Sequence, residues 1–64
     1  MKFKRGQLVV VKNDIKTVNN TFPKGMECLI DDVDPWLKTY DIIDPNDNTR
    51  WITDVSEKDI EGKT

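Results

Sequence analysis

The side chains most often used as nucleophiles and general bases are almost absent from this 64-residue chain. It has no histidine, one cysteine (Cys28) and one serine (Ser56). A Ser-His-Asp triad and a Cys-His pair both need histidine as the base, and Cys/His zinc sites need more than one such ligand. Neither GxGxxG nor GxxxxGK[ST] occurs. We therefore expect no catalytic site, no cofactor and no phosphate-binding loop.

Aspartates are the remaining candidates for acid–base chemistry or cation binding. They form two groups in the sequence: Asp31, Asp32 and Asp34, and then Asp41, Asp44 and Asp47. A calcium loop requires a glycine after the acidic positions, and none follows Asp44 to Asn48. Asp and Asn also favour turns because their side chains bond to nearby backbone. We expect turns here, and neither a metal site nor a hydrolytic pair.

Two apolar residues stand where the sequence predicts a loop tip. Trp36 and Leu37 follow Asp34-Pro35. Aromatic anchors dominate protein-binding hot spots, so an exposed Trp36 would suit a partner. Asp32 and Asp34 would form a charged rim that attracts a basic protein. The alternative is that Trp36 folds back over the core.

A second aromatic group is predicted beside the first long loop. Phe22 lies at the end of that loop, and Tyr40 and Trp51 lie in later strands. We expect one of the two strand aromatics in the core and the other in a groove with Phe22. Together the predicted partner-binding set is Phe22, Asp32, Asp34, Trp36, Leu37, Tyr40 and Trp51.

Charge is divided unevenly along the chain. Residues 1–26 carry six basic residues and one acidic residue, while residues 27–64 carry four basic and eleven acidic residues. A basic segment suits phosphate contacts, so nucleic-acid binding is the alternative function. Its candidate residues are Lys2, Lys4, Arg5, Lys12, Lys16 and Lys24. The simpler interpretation is that oppositely charged strands lie side by side and pair.

Short runs of β-branched and aromatic residues separated by turn signals predict an all-β domain. The predicted strands are Gln7–Lys12, Met26–Val33, Thr39–Ile43 and Arg50–Thr53. Val9 and Val11 are the predicted core positions of the first strand. Residues 13–25 are expected to form a long ordered loop pinned by Ile15, Val18 and Phe22.

Three local features are predicted between and after these strands. Val33 breaks the two-residue period of the second strand, which indicates a bulge near Asp31-Asp32. The segment from Asp44 to Asn48 is a hairpin turn with proline placed to start it. Ser56 is a helix N-cap for one short turn that ends before Gly62.

The order of these elements resembles the SH3-like small-barrel group, including KOW-type and bacterial SH3-like domains. The residues that carry the resemblance are Phe3 to Val11, Pro23 to Met26, Tyr40 to Ile42, and Trp51 to Ile60. The resemblance implies a five-stranded barrel with a long first loop and a one-turn helix before the last strand. The first loop has only Phe22 as an aromatic, and the tail lacks proline and tyrosine. Proline-rich peptides are therefore not the expected ligand.

Length and composition determine the remaining expectations about domain number, location and function. We expect one domain over residues 1–64, cytoplasmic, without a membrane segment or disulfide, and a monomer or weak homodimer. The composition is similar to that of small proteins of low-GC Gram-positive bacteria and their phages. The leading hypothesis is a non-catalytic protein–protein interaction module or small accessory factor. Its acidic part would also suit mimicry of nucleic acid toward a DNA-binding protein. The alternative is a KOW-like nucleic-acid binder.

Overall fold

The computed structural model describes residues 1–63, which form seven β-strands and one 3₁₀ turn. The strands are β1 (Leu8–Val11), β2 (Ile15–Lys16), β3 (Thr21–Phe22), β4 (Glu27–Asp34), β5 (Thr39–Asp44), β6 (Asp47–Ser56) and β7 (Ile60–Gly62). The 3₁₀ turn covers Glu57–Asp59, between β6 and β7. The all-β prediction is confirmed. Among residues 1–63, no helix is long and apolar enough to cross a membrane.

Five of the seven strands form one antiparallel sheet in the order β6-β5-β4-β1-β7. β2 and β3 form a separate two-stranded hairpin. Within residues 1–63 no ladder joins the edge strands β6 and β7, so the sheet stays open. The predicted closed barrel is therefore not seen, although the sheet has the predicted number of strands.

A single apolar cluster lies on one face of the sheet. Along β1 the side chains alternate, with Val9 and Val11 fully buried as predicted. The same two-residue period buries Cys28 and Ile30 in β4. The cluster consists of Phe3, Val9, Val11, Phe22, Cys28, Ile30, Tyr40, Ile42, Ile52, Val55 and Ile60.

Two bulges flank the centre of β5. The register between β4 and β5 shifts between Ile30 and Asp32, so Asp31 is an extra residue, which confirms the predicted bulge. Between β5 and β6 the register shifts again, opposite Asp41. In this second bulge Asp54 has a left-handed backbone with φ of 58°. Bulges bend a strand and redirect its side chains, and here both act beside Asp41.

The first loop differs from its prediction. Ile15 pairs with Phe22, and Lys16 with Thr21, so the segment contains a hairpin. Phe22 and Ile15 pack on the core, but Val18 is fully exposed at the hairpin end. The prediction that Val18 pins the loop is wrong, because the turn between β2 and β3 directs it into solvent.

The end of the chain follows its prediction closely. The Ser56 hydroxyl accepts a hydrogen bond from the Lys58 backbone N–H and caps the 3₁₀ turn. The turn gives way to β7 at Ile60, whose side chain is buried. The predicted fourth strand, Arg50–Thr53, is the middle of the longer β6. That strand extends in both directions because β5 pairs with it from Asp44 to Thr39.

Candidate functional site

The turn that joins β4 to β5, Pro35–Lys38, is called the tip. One carboxylate oxygen of Asp34 accepts hydrogen bonds from the backbone N–H groups of Trp36 (3.0 Å) and Leu37 (3.1 Å). Lys38 closes the turn in the left-handed region, with φ of 55°. Four-residue hairpin loops commonly use such a geometry, and Asp before Pro favours it. The tip therefore has a defined backbone, and Asp34 holds it in place.

Both apolar side chains of the tip face solvent. Trp36 is 93% exposed and Leu37 is 65% exposed. The alternative in which Trp36 folds back over the core is thus not adopted. Isolated exposed apolar residues are common, but an adjacent Trp and Leu on a well-defined turn are unusual. The tip offers an apolar contact surface that residues 1–63 leave uncovered.

Beside the tip lies an open depression whose carboxylates come from three strands. We call it the acidic depression. It has a volume of about 320 Å³. Its walls are Asp32, Val33, Asp34, Pro35, Asp41, Thr53 and Asp54. The two bulges bring these strands' aspartates together, since Asp32 follows the first and Asp54 lies in the second.

Asp41 has the most perturbed environment of these carboxylates. Partial burial raises its pKa. The nearby Asp54 backbone N–H lowers its pKa, whereas the charges of Asp32, Asp54 and Asp31 raise it further. Like charges held this close favour a cationic group brought by a partner. Within residues 1–63, no three His, Cys, Asp or Glu residues are arranged to hold a metal ion.

The predicted aromatic groove is not assembled. Phe22 and Tyr40 are completely buried, and only Trp51, at 51% exposure, reaches the surface. Their burial follows from the strand period, which directs Tyr40 to the core face of β5. Neither ring offers a face to a partner. Trp51 lies outside the acidic depression, against the β2–β3 hairpin.

Tyr40 instead ties the N-terminal segment to the sheet. Its hydroxyl accepts from the Phe3 backbone N–H (3.1 Å) and donates to Glu57 (2.6 Å). The same Glu57 oxygen accepts from the Lys2 backbone N–H (3.1 Å). The Phe3 and Tyr40 rings meet edge to face, with centroids 5.5 Å apart. This cluster holds the residues before β1 in place.

The six predicted nucleic-acid contacts are all exposed but lie on separate parts of the fold. Lys4 and Arg5 precede β1 and Lys12 follows it, so they lie at opposite ends of that strand. Lys16 is in β2, and Lys24 follows β3. Neither ion pair among residues 1–63 involves them, because both join residues of the later, acidic part of the chain: Arg50–Asp44 and Lys63–Glu27. The predicted side-by-side pairing is seen between the strands, because β1 of the basic segment lies between β4 and β7 of the acidic part. No ion pair among residues 1–63 joins the two parts.

Arg50 is a structural residue that sequence reasoning missed. Its guanidinium donates to Asp44 (3.1 Å) and to the Thr21 carbonyl (2.9 Å). It also lies over the Phe22 ring, 5.3 Å from the centroid. The available signal in the sequence was the pair of opposite charges, Asp44 and Arg50, on the two sides of the Pro45-Asn46 turn. Arg50 thereby fixes the β2–β3 hairpin to the main sheet.

Cys28 is buried at the centre of the sheet. Burial raises its pKa to about 11, the nearby Asp44 carboxylate adds to the rise, and Arg50 opposes it. A thiol in this state is almost never a thiolate at neutral pH, so it is a packing group.

No protein-family model, curated protein or solved structure gives a significant match to this chain. The tip and the acidic depression are therefore interpreted from their own chemistry.

Proposed function

We propose that the chain is a non-catalytic module that binds a basic protein through the tip and the acidic depression. The observation that carries this proposal is the pair Trp36–Leu37, exposed on a turn that Asp34 holds in place, beside four aspartates. The partner would present an apolar side chain to the tip and lysine or arginine to the depression.

The tip supplies the affinity in this proposal. A tryptophan buries roughly 150–250 Å² in an interface, which corresponds to about 4–6 kcal/mol before the costs of association. Part of that cost is ordering of the binding loop. Because the Trp36 and Leu37 N–H groups are already bonded to Asp34, less ordering remains. Hot spots are enriched in tryptophan for the same reasons.

In this proposal the aspartates orient the partner and raise the rate of association. The negative charges around Asp41 repel one another, so a cation that enters the depression relieves that repulsion. Charges at the edge of an interface mainly accelerate encounter. A basic nucleic-acid-binding protein is one partner class with this charge, which agrees with the mimicry hypothesis.

We also propose that the sheet is an open relative of the SH3-like architecture. Support comes from three features that the resemblance implies: five strands in the main sheet, the long first loop between β1 and β4, and the 3₁₀ turn before the last strand. In that architecture the tip would be a hairpin loop at one end of the sheet. Loops at the end of a rigid sheet are common positions for binding residues.

Selection from a random peptide library on the immobilised protein tests the proposal. We expect enriched peptides to combine Lys or Arg with an apolar residue. Trp36→Ala should lower the affinity for the selected peptides by at least about tenfold, as expected for a hot-spot tryptophan. Trp51→Ala is the matched control, because it removes an exposed tryptophan outside the depression, and should leave their binding unchanged. Selection of acidic peptides, or equal loss in both variants, would contradict the proposal.

Titration with single-stranded and duplex oligonucleotides at two salt concentrations tests the alternative function. The separation of the basic residues along β1 and the hairpin predicts no salt-sensitive binding. A steep loss of oligonucleotide affinity with salt would favour the nucleic-acid hypothesis and exclude acidic mimicry.

A further inference from the structure

Trp51 forms the centre of a second surface, away from the tip. In β6 the neighbouring Ile52 points into the core, so Trp51 points outward and is 51% exposed. Thr49 and Thr53 lie two residues to either side and share its face. Half of a large aromatic side chain is thus available in the middle of β6.

The β2–β3 hairpin forms one wall of a depression of about 290 Å³ that Trp51 also lines. The Asn20 side-chain amide donates to the Trp51 carbonyl (3.1 Å), and Arg50 donates to the Thr21 carbonyl (2.9 Å). Thr17 and Asn20 also bond to each other across the turn. The hairpin is therefore held against β6 at a fixed separation, and the depression exists without a ligand-induced change.

The lining of this depression is polar but uncharged. Its polar side chains are Thr17, Asn19, Asn20, Thr49 and Thr53. Among the described residues no Lys, Arg, Asp or Glu lines it, although 34% of the chain is charged. Phosphate groups and ionic peptides would find no charge partner here. The ligand that fits must be neutral, with hydrogen-bonding groups around a flat apolar surface.

We propose that the Trp51 depression binds a neutral carbohydrate. An indole ring has an electron-rich face, which suits the polarised C–H groups on one side of a sugar ring. Hydroxyl and amide side chains both donate and accept, as sugar hydroxyls require. The volume is at the small end for ligand sites, so a short stretch of an oligosaccharide is the expected occupant.

A nucleobase is the competing occupant, because every base can stack on an aromatic ring. Such a site also needs cations along the backbone of the strand. The lining has none, and Arg50, the basic residue next to Trp51, is engaged with Asp44 and Thr21. The charge pattern thus favours the sugar.

Nitrogen–proton correlation spectra with cellotetraose, chitotetraose and maltotetraose, each up to about 10 mM, test the proposal. We expect at least one of them to shift the Trp51 indole resonance and the Asn19 and Thr49 amides, but not the Trp36 indole. Trp51→Ala should abolish the response, whereas Trp36→Ala should retain it. This pair of variants separates failure of the sugar site from failure of the protein-binding tip.

Thr53→Val provides a second variant, because valine has nearly the same shape as threonine and lacks only its hydroxyl. It should weaken binding of the active tetrasaccharide several-fold without changing the folded spectrum. Absence of any shift with all three sugars would overturn the proposal. So would a response to tetrauridylate that exceeds the response to the sugars, because it would assign the surface to nucleobases.

Discussion

The Tyr40 hydroxyl joins three parts of the chain at one buried point. It accepts from Phe3 before β1, donates to Glu57 in the 3₁₀ turn, and belongs to β5. Burial raises the pKa of Tyr40, as does its bond to Glu57, so the phenol keeps its proton and remains a donor. Phe3 contributes to the core only while its backbone is held here.

Replacement of Tyr40 by phenylalanine tests this junction. The ring and its edge-to-face contact with Phe3 remain, but the Phe3 N–H loses its acceptor. An unpaired buried donor costs about 1–3 kcal/mol, so we expect the free energy of unfolding in urea to fall by that amount. Trp36→Phe, an exposed aromatic replacement, is the control and should leave stability unchanged. Equal stability of the Tyr40 variant and the parent would show that water satisfies Phe3.

At the scale of elements, the two bulges concentrate charge beside the tip, at one end of the β4–β5 hairpin. Asp41 lies between them, and its pKa is raised first by partial burial and then by neighbouring aspartates. The folded protein therefore holds this proton more tightly than the unfolded chain does. The charged form costs stability above the folded pKa, and the penalty disappears as pH falls toward its ordinary value of 3.8.

Asp41→Asn should therefore stabilise the protein at pH 7 and have less effect as the pH is lowered through the raised pKa. Urea unfolding at several pH values measures this difference. Asp47→Asn is a control of opposite sign, because hydrogen bonds from the Thr49 hydroxyl and N–H lower the pKa of Asp47. That variant should be destabilised at pH 7, with the difference lost toward acidic pH. A destabilised Asp41→Asn at pH 7 would mean that the effect of the Asp54 backbone N–H outweighs the repulsion.

The elements that depend on residues close together in the sequence were predicted correctly. The β4 bulge, the Pro45-Asn46 turn, the Ser56 cap and the buried face of β1 all follow from neighbouring residues. The β2–β3 hairpin and the length of β6 were missed. Both depend on partners distant in sequence, since Arg50 holds Thr21, and β5 imposes pairing on the polar ends of β6.

The candidate sites likewise combine features set by neighbouring residues with features set by residues distant in sequence. The loop-tip position of Trp36 and Leu37 followed from a local turn motif, Asp34-Pro35, but the sequence left open whether Trp36 folds back over the core. The contribution of Asp41 and Asp54 to the acidic depression did not, because it requires the register of three strands. Phe22 was assigned to a groove because aromatic type alone does not distinguish a core residue from a ligand contact. The same ambiguity left open which of Tyr40 and Trp51 is the core residue, and the structure buries Tyr40.

At the scale of the whole molecule, one apolar cluster supports every strand of the main sheet. A chain of 64 residues buries a modest fraction of its surface, so this core has little reserve stability. The binding surfaces lie outside it: the tip at one end of the β4–β5 hairpin and the Trp51 depression against the β2–β3 hairpin. Substitutions in either surface should therefore leave the core intact.

Cys28 provides a test of whether this core opens as one unit. Its side chain is fully buried in β4 between β1 and β5, and its pKa of about 11 adds chemical protection. A thiol reagent can therefore react only after the sheet separates. Opening at Cys28 removes the contacts of both neighbouring strands, so we expect it to require global unfolding.

Thiol labelling at pH 8, under conditions where refolding outpaces reaction, should give the same free energy of unfolding as urea denaturation, within about 0.5 kcal/mol. The reaction rate of the fully unfolded protein in urea supplies the reference. Both values should be independent of protein concentration if the chain folds as a monomer. A labelling free energy well below the urea value would instead reveal partial opening beside β4. Because β1 and β7 are the shorter strands on that side, such an opening would begin there and leave the β4–β5–β6 meander, with the tip and the acidic depression, folded.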